Sequence, residues 1–371
     1  MTELQPGTEE DLAGTIREAA AGGRRLALRG GGTRVAAAGG APLSTAGLVG
    51  ITLYEPGALT LVARAGTPVA EVEAALAAEG QMLPFEPWDA RALTGSNGVP
   101  TVGGMAATNA SGPRRVQAGA CRDSMIGVRF VDGTGAVVKN GGRVMKNVTG
   151  LDLVKLMAGS RGTLGALTEV AFKVLPAPET AATLTWEGLD LGAAVELMTA
   201  ATATPYDVTG AAHDPAGPFT RIRVEGFAGS VAHRGRALAA ALARFGAPAV
   251  EEGPGPWAGI RDAAAFGGRD GAVWRISVRP TDGPRVAAAL PGAELAFDWA
   301  GGLVWARVPE ALDLRGALAG ISGHATLVRA SEGAFARWGA LQPEPAPVAA
   351  LAAGLRAKFD PKGVFAPEPG A

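Results

Sequence analysis

Leu26-Ala27-Leu28-Arg29-Gly30-Gly31-Gly32-Thr33 is a short apolar run that ends in an arginine, three glycines and a threonine. The pattern predicts a strand over Leu26–Arg29 that feeds directly into the glycines. Glycine tolerates positive φ, and successive backbone N–H groups in such a loop converge on an anion. Arg29 and the Thr33 hydroxyl add donors. With 55 glycines in 371 residues, the same run also reads as a plain flexible turn. No Gly-Lys-Ser/Thr follows it, so it is not a Walker A loop. Nor do the glycines open a helix with Gly-x-Gly-x-x-Gly spacing, which disfavours a Rossmann site.

Downstream, Leu59–Ala65 partly alternates apolar and polar residues and predicts a strand that breaks at Gly66. Thr67 suits an N-cap and Pro68 a first helical position, with Val69, Val72 and Leu76 on one face and Gly80 at the end. A second cluster follows at residues 101–115: Gly103, Gly104, Met105, Ala106, Ala107, Thr108, Asn109, Ala110, Ser111 and Gly112, then Pro113, Arg114 and Arg115. Small side chains admit a ligand close to the backbone, although a tight helix packed through Gly and Ala has the same composition. Two glycine clusters flanking one strand–helix unit suit a ligand with two phosphates.

Ile126–Val131 predicts a strand, Asp132-Gly133-Thr134-Gly135 a turn and Ala136–Lys139 its hairpin partner. Leu151–Met157 reads as a short helix, and Gly162–Gly165 leads into a strand over Leu167–Leu175. Pro176-Ala177-Pro178 then halts regular structure and marks a domain boundary, giving domains 1–178 and 179–371. Beyond it, extended segments (Thr183–Trp186, Arg221–Glu225, Val273–Val278, Leu303–Val308) alternate with helical ones. These are Leu191–Ala201 and a long Ala/Leu helix capped by Ser230 and ending near Gly246. The expected architecture is α+β, with helices on an antiparallel sheet. No internal sequence repeat is visible.

Composition narrows the function. Hydrophobic residues are 47%, charged residues 19%, and the net charge is -1, so no basic face for nucleic acid is expected. Cys121 stands alone, which rules out an internal disulfide and a self-built iron–sulfur cluster. His213, His233 and His324 have no metal-ligand spacing, so no metal site is expected. The N-terminal residues do not read as a signal peptide, and no apolar run reaches the ~18 residues of a membrane span. The expected location is cytoplasmic, or the inner membrane face through partner subunits.

The motifs occur in a specific order: Arg29–Thr33, Ala65-Gly66-Thr67-Pro68, Gly103 to Arg115, Arg122-Asp123 with Ile126-Gly127, Val144 to Leu153, and Gly159 to Gly165. This series resembles the PCMH-type, vanillyl-alcohol-oxidase-like FAD-binding family, and more closely the FAD-binding subunits of bacterial glycolate oxidases. Gln81 to Pro87 and Phe359 to Phe365 fit it too. The resemblance implies a two-subdomain FAD-binding domain followed by an α+β cap, with the C-terminal segment returning to the first domain. It implies that Arg29, Gly30, Gly31, Gly32 and Thr33, with Gly103, Gly104, Met105, Ala106, Asn109 and Gly112, hold the FAD pyrophosphate. Asp123 and Gly127, in the stretch from Cys121, and Gly162 and Gly165 would line the adenosine and ribityl parts. Many relatives tether the flavin through His or Cys near the first loop; this loop has neither, so noncovalent FAD is expected. The broader family often has Glu where Arg161 stands.

The implied activity is oxidation of glycolate, or a similar 2-hydroxy acid, to the 2-oxo acid. The implied partners are a second, catalytic FAD-binding subunit and an iron–sulfur subunit, and any contact with a membrane is indirect. Within the chain, His324 and Arg329 are the candidates for base and carboxylate anchor. Their odd separation puts them on opposite faces of a regular strand, and a buried strand with a partly satisfied histidine explains them better. Two alternatives remain open: a flavin-bearing structural subunit, and a stand-alone oxidase of another small hydroxy acid or alcohol.

Overall fold

The computed structural model describes residues 3–34, 39–142 and 150–367. The motif from Val144 to Thr149 lies outside the described residues.

Near the N-terminus, Thr8 caps the helix Glu9–Ala21, its hydroxyl accepting from the Asp11 N–H at 3.1 Å, and three acids occupy the first turn. The helix buries Leu12, Ile16 and Ala19 against Leu26, Leu43, Val364 and Phe365. Leu26–Arg29 pairs in parallel with Ala41–Ser44. On its other side, the Leu26 N–H donates to the Val364 carbonyl at 2.7 Å, and the Ala366 N–H donates to the Leu26 carbonyl at 2.9 Å. Residues near both ends of the chain thus build one small unit.

Packed on it is a five-stranded antiparallel sheet, in the order Ile51–Glu55, Thr60–Arg64, Ala166–Lys173, Met125–Val131 and Val137–Gly141. The helix over the sequence-predicted stretch starts at Val69 with Pro68 as its cap. Thr67 is spent elsewhere: its hydroxyl accepts from the Gly50 N–H at 2.9 Å. Regular structure also does not stop before Pro176. Leu175–Pro176 pairs with Gln81–Met82 in a two-stranded edge ribbon, where proline's missing donor costs nothing.

The C-terminal half is one eight-stranded antiparallel sheet. Its first four strands come from the unit Thr180–Glu187, helix Leu191–Thr202, Val208–Asp214, Phe219–Gly226, helix Ala228–Ala241 and Ala249–Glu252. The other four come from Ala272–Val278, helix Gly283–Ala289, Glu294–Asp298, Leu303–Val308, helix Leu314–Ala317 and Gly323–Arg329. Each half is a β-α-β-β-α-β unit, and the strand order of one mirrors that of the other. The strand ladder between the two units has a single register pair, His213 with Phe297. The sequence shows no trace of this duplication, because the repeated feature is topology and not residue identity. Ser230 lies inside the helix Ala228–Ala241, where Phe227 stands at the cap position and the Ser230 hydroxyl accepts from Arg234 Nε at 3.2 Å.

One face of the eight-stranded sheet carries Trp274, Ile276, Val304 and Leu327 and packs on its own helices. The other face presents Val273, Leu303 and Trp305 to the N-terminal half, where they share a core with Trp88, Leu93 and Met105.

Candidate functional site

The glycine loop after Leu26–Arg29 lies on residues 98–104. A Cβ on Gly31 would sit 1.6 Å from the Val99 carbonyl oxygen, so this glycine is required by chain packing. Gly32 has φ +70 and open space where a side chain would be. The loop's carbonyls are tied to the scaffold. Arg29 O accepts from the Thr45 N–H at 2.9 Å, Gly30 O from Ser44 Oγ at 3.4 Å and Gly32 O from Ser96 Oγ at 3.1 Å. No partner among the described residues takes the N–H groups of Gly31, Gly32 and Thr33. That arrangement is an anion nest.

This loop forms one wall of a cavity of about 460 Å³, within the usual range for cofactor sites. Thr101, Gly103, Gly104 and Thr108 form another wall, and Arg161, Gly162, Gly165 and Leu167 a third. Thr101 caps the helix Val102–Ala107 through a bond from the Gly104 N–H at 3.3 Å. Arg34 also lines the cavity. Its Nη2 donates to the Trp88 carbonyl at 2.5 Å, while Nε and Nη1 are buried with no partner among the described residues. Burial, only partly offset by Asp89, pulls this guanidinium down to about 10. Ser160 Oγ, outside the cavity lining, is also buried with no partner among the described residues. Buried donors left without acceptors are costly, and an anionic, phosphate-bearing ligand in the cavity would satisfy those of Arg34.

A second cavity of about 810 Å³ lies at the seam of the two half-sheets, between Ala212–Ala216, Pro256–Phe266 and Ala293–Asp298. Its charged lining is largely committed. Arg269 pairs with Glu294 at 2.5 Å, Arg221 lies over the Phe219 ring, and His213 bonds Thr220 at 2.9 Å. The smaller cavity is therefore the one built for a polar ligand.

Residues 3–141 match the family described as FAD binding domain. Over 321 residues, the chain is 37% identical to the glycolate oxidase subunit GlcE of Escherichia coli, covering 86% of this chain and 83% of the relative. The chain belongs to the GlcE family of glycolate oxidase subunits. A 137-residue stretch is 34% identical to the glycolate oxidase subunit GlcD of Bacillus subtilis, covering 36% of this chain and 28% of that protein. An alkyldihydroxyacetonephosphate synthase structure shares the fold, with a TM-score of 0.68 at 15% identity over 98% of this chain and 75% of the other. This GlcE-family chain is thus an FAD-linked oxidoreductase with the PCMH-type α+β fold.

Of the residues expected to hold FAD, Arg29 to Thr33, Gly103, Gly104, Gly162 and Gly165 converge on the one cavity. The others stand elsewhere. Met105 and Ala106 are wholly buried behind it. Asn109, at φ +50, accepts from the Arg122 N–H at 2.8 Å. Asp123 accepts from the Ala120 N–H at 2.8 Å. Gly127 lies in the sheet against Gly142 and Ala171. Gly112 belongs to the seam between the halves, where its carbonyl accepts from Trp299 Nε1 at 3.0 Å. Cys121 is fully buried, and burial pushes its thiol up, so it packs without reacting.

His324 and Arg329 stand at opposite ends of the strand Gly323–Arg329. Arg329 donates to the carbonyls of Leu93, Phe266, Arg269 and Gly271, clamping the two halves together. His324 is reached by solvent, and partial burial, Arg275 and Arg115 hold it below the usual imidazole range. Sequence reading missed Arg34. An arginine after a glycine run looks like a surface residue until the fold buries it.

Among the described residues, no group of three or more His, Cys, Asp or Glu is placed to hold a metal. No described helix is long and apolar enough to cross a membrane.

Proposed function

We propose that this chain is the flavin-carrying subunit of a complex that oxidises glycolate, or a close 2-hydroxy acid, to the 2-oxo acid. The observation that carries this reading is the cavity, with its unpaired N–H groups at Gly31–Thr33 and the half-satisfied Arg34, in a chain of the GlcE family. FAD, when bound, supplies the acceptor for a hydride from the substrate carbon. The chain's part is to bind the pyrophosphate at the glycine loop, with Arg34 as its buried cation, and to close the site with the C-terminal half. The chain divides into an FAD-binding domain, 1–178, and a cap, 179–371, whose last residues return to Leu26. The partners are a second FAD-binding catalytic subunit and an iron–sulfur subunit, since this chain has one cysteine with which to build a cluster. The site of action is the cytoplasm or, through those partners, the inner membrane face.

Anaerobic mixing with glycolate tests the reading. Bleaching of the flavin's visible band should be rapid in the reconstituted complex and slow in the isolated holoprotein. Equally fast bleaching in the isolated chain would make it the catalytic subunit. No flavin in the purified chain would remove the basis of the proposal.

A further inference from the structure

Trp299 is buried at the seam, and two guanidiniums lie against its ring. Arg115 Cζ is 4.4 Å and Arg275 Cζ 4.8 Å from the ring centroid. Neither side chain has a hydrogen bond or an ion pair among the described residues. Arg275 is the more desolvated: burial first, then neighbouring Arg115, pull it down to about 10. Two like charges brought together without an ion-paired acid destabilise the fold unless an anion joins them.

The surroundings specify that anion. Arg275 is in register with Trp305 on one side and Thr326 on the other, so these side chains share the sheet face turned to the N-terminal half. Ser277 and His324 are a register pair on the same face. His324 feels both Arg275 and Arg115, which adds a third group of positive potential. Arg161 also acts on Arg275, and it lines the glycine-loop cavity. Arg161 thus adds positive potential from the cavity side of the seam. The backbone confirms that Trp299 is held here at a cost, since Trp299 and Ala300 have φ 52 and 58 in succession. Asp123 acts on Arg115 and Asp298 on Arg275, but neither is ion-paired with its arginine, and burial raises Asp298 to about 7, which makes it a poor counter-ion.

We propose that Arg115 and Arg275, with His324 at the rim, form a binding site for a small carboxylate anion, the 2-hydroxy acid or its 2-oxo product. A carboxylate presents two oxygens, one for each guanidinium, and the indole covers its short carbon chain. The Thr326 and Ser277 hydroxyls lie on the face that a 2-hydroxyl would meet. This assignment rests on the proposed function and gives it a substrate anchor in this chain. Arg275 takes the place that sequence reading gave to Arg329.

The test is a titration with oxalate, an unreactive carboxylate, read by tryptophan fluorescence in the FAD-free protein and by the flavin spectrum in the holoprotein. Saturable binding is expected in both forms, weakened roughly 10- to 100-fold in Arg115→Gln and Arg275→Gln and partly restored in Arg275→Lys. Arg337→Gln, which removes a surface arginine over Trp338, should bind as the wild type does. Circular dichroism and FAD content, measured alongside, identify any variant that fails to fold; for such a variant the Lys substitution carries the test. The proposal is overturned if oxalate does not bind the wild type or binds both Gln variants unchanged. It is also overturned if FAD competes oxalate off, since the arginines would then belong to the cofactor. A chain that binds oxalate but no FAD would refute the flavin reading and leave the anion site standing.

Discussion

Glu86 accepts two hydrogen bonds from Arg223, at 3.0 Å from Nη1 and 2.8 Å from Nη2, across the seam between the two halves of the chain. Glu86 also accepts from the Arg114 N–H at 3.2 Å, and Arg114 Nη2 donates to Glu225 at 2.6 Å. Arg223 lies over the Trp257 ring at 4.6 Å. Glu86→Gln leaves Arg223 and Arg114 buried with one carboxylate between them. Breaking a buried pair in this way costs about 3 kcal/mol or more. Thermal denaturation should show that loss, together with looser docking of the halves seen as faster proteolysis. A variant within about 0.5 kcal/mol of wild type would show that Glu225 alone satisfies both arginines.

Arg34→Met should act in opposite directions on the two forms of the protein. Without FAD, removing two unpaired N–H groups should leave stability unchanged or raise it by about 1 kcal/mol. With FAD, affinity should fall roughly 10- to 100-fold. Equilibrium unfolding of the FAD-free protein and flavin titration measure the two effects separately. Unaltered FAD affinity would detach Arg34 from the cofactor.

Neighbouring glycines in the first loop should respond differently. Gly31→Ala meets the Val99 carbonyl and should not yield folded protein. Gly32→Ala should fold, at a cost of roughly 1–2 kcal/mol for its left-handed backbone. Expression yield and melting temperature distinguish them. Loss of folding in both would place the whole loop in the structural core.

Flavin should leave the denatured protein. The first loop has no His or Cys, and Cys121 is fully buried with its thiol held neutral. Acid precipitation should put all flavin fluorescence in the supernatant, whereas fluorescence in the washed pellet would reveal a covalent link.

Asp298 sets a pH dependence. Burial raises its carboxyl to about 7, although it accepts from the Trp299 N–H at 2.7 Å. A carboxyl raised on folding favours the native state below its unfolded value and loses that contribution as pH rises through the folded one. The relevant window runs from about pH 4 to about pH 7. Asp298→Asn keeps the acceptor and removes the titration, so it should be the more stable protein at pH 8 by roughly 2–4 kcal/mol, with no advantage at pH 4. Denaturant midpoints at the two pH values measure this. Parallel profiles would mean that the group ionises freely in the fold.

The strands were readable where apolar periodicity was local. Leu26–Arg29 and Leu303–Val308 fall where the pattern puts them. The glycine loop and the small-residue run were readable as a ligand site because backbone conformation is written in glycine. The helix Glu9–Ala21 passed unread, although Thr8 and three acids announced its start. The seam was not readable at all. Arg115, Arg275 and Trp299 are separated by long stretches of chain, and nothing in their local sequence says that a folded sheet will carry them to one place. Arg329 shows the converse: beside His324 in sequence it suggests chemistry, while in the fold its donors are absorbed by four carbonyls.

The hydrogen bonds between Leu26 and Val364–Ala366 impose an order on biosynthesis. Leu26 opens the strand that presents the glycine loop, and it is made well before Val364. One flank of that strand stays bare until residues 364–366 have been made. The cofactor cradle is therefore assembled from segments far apart in the polypeptide, and steady flavin capture waits until Val364–Ala366 have been made. A chain stalled before Val364 would have the loop without the flank that steadies it.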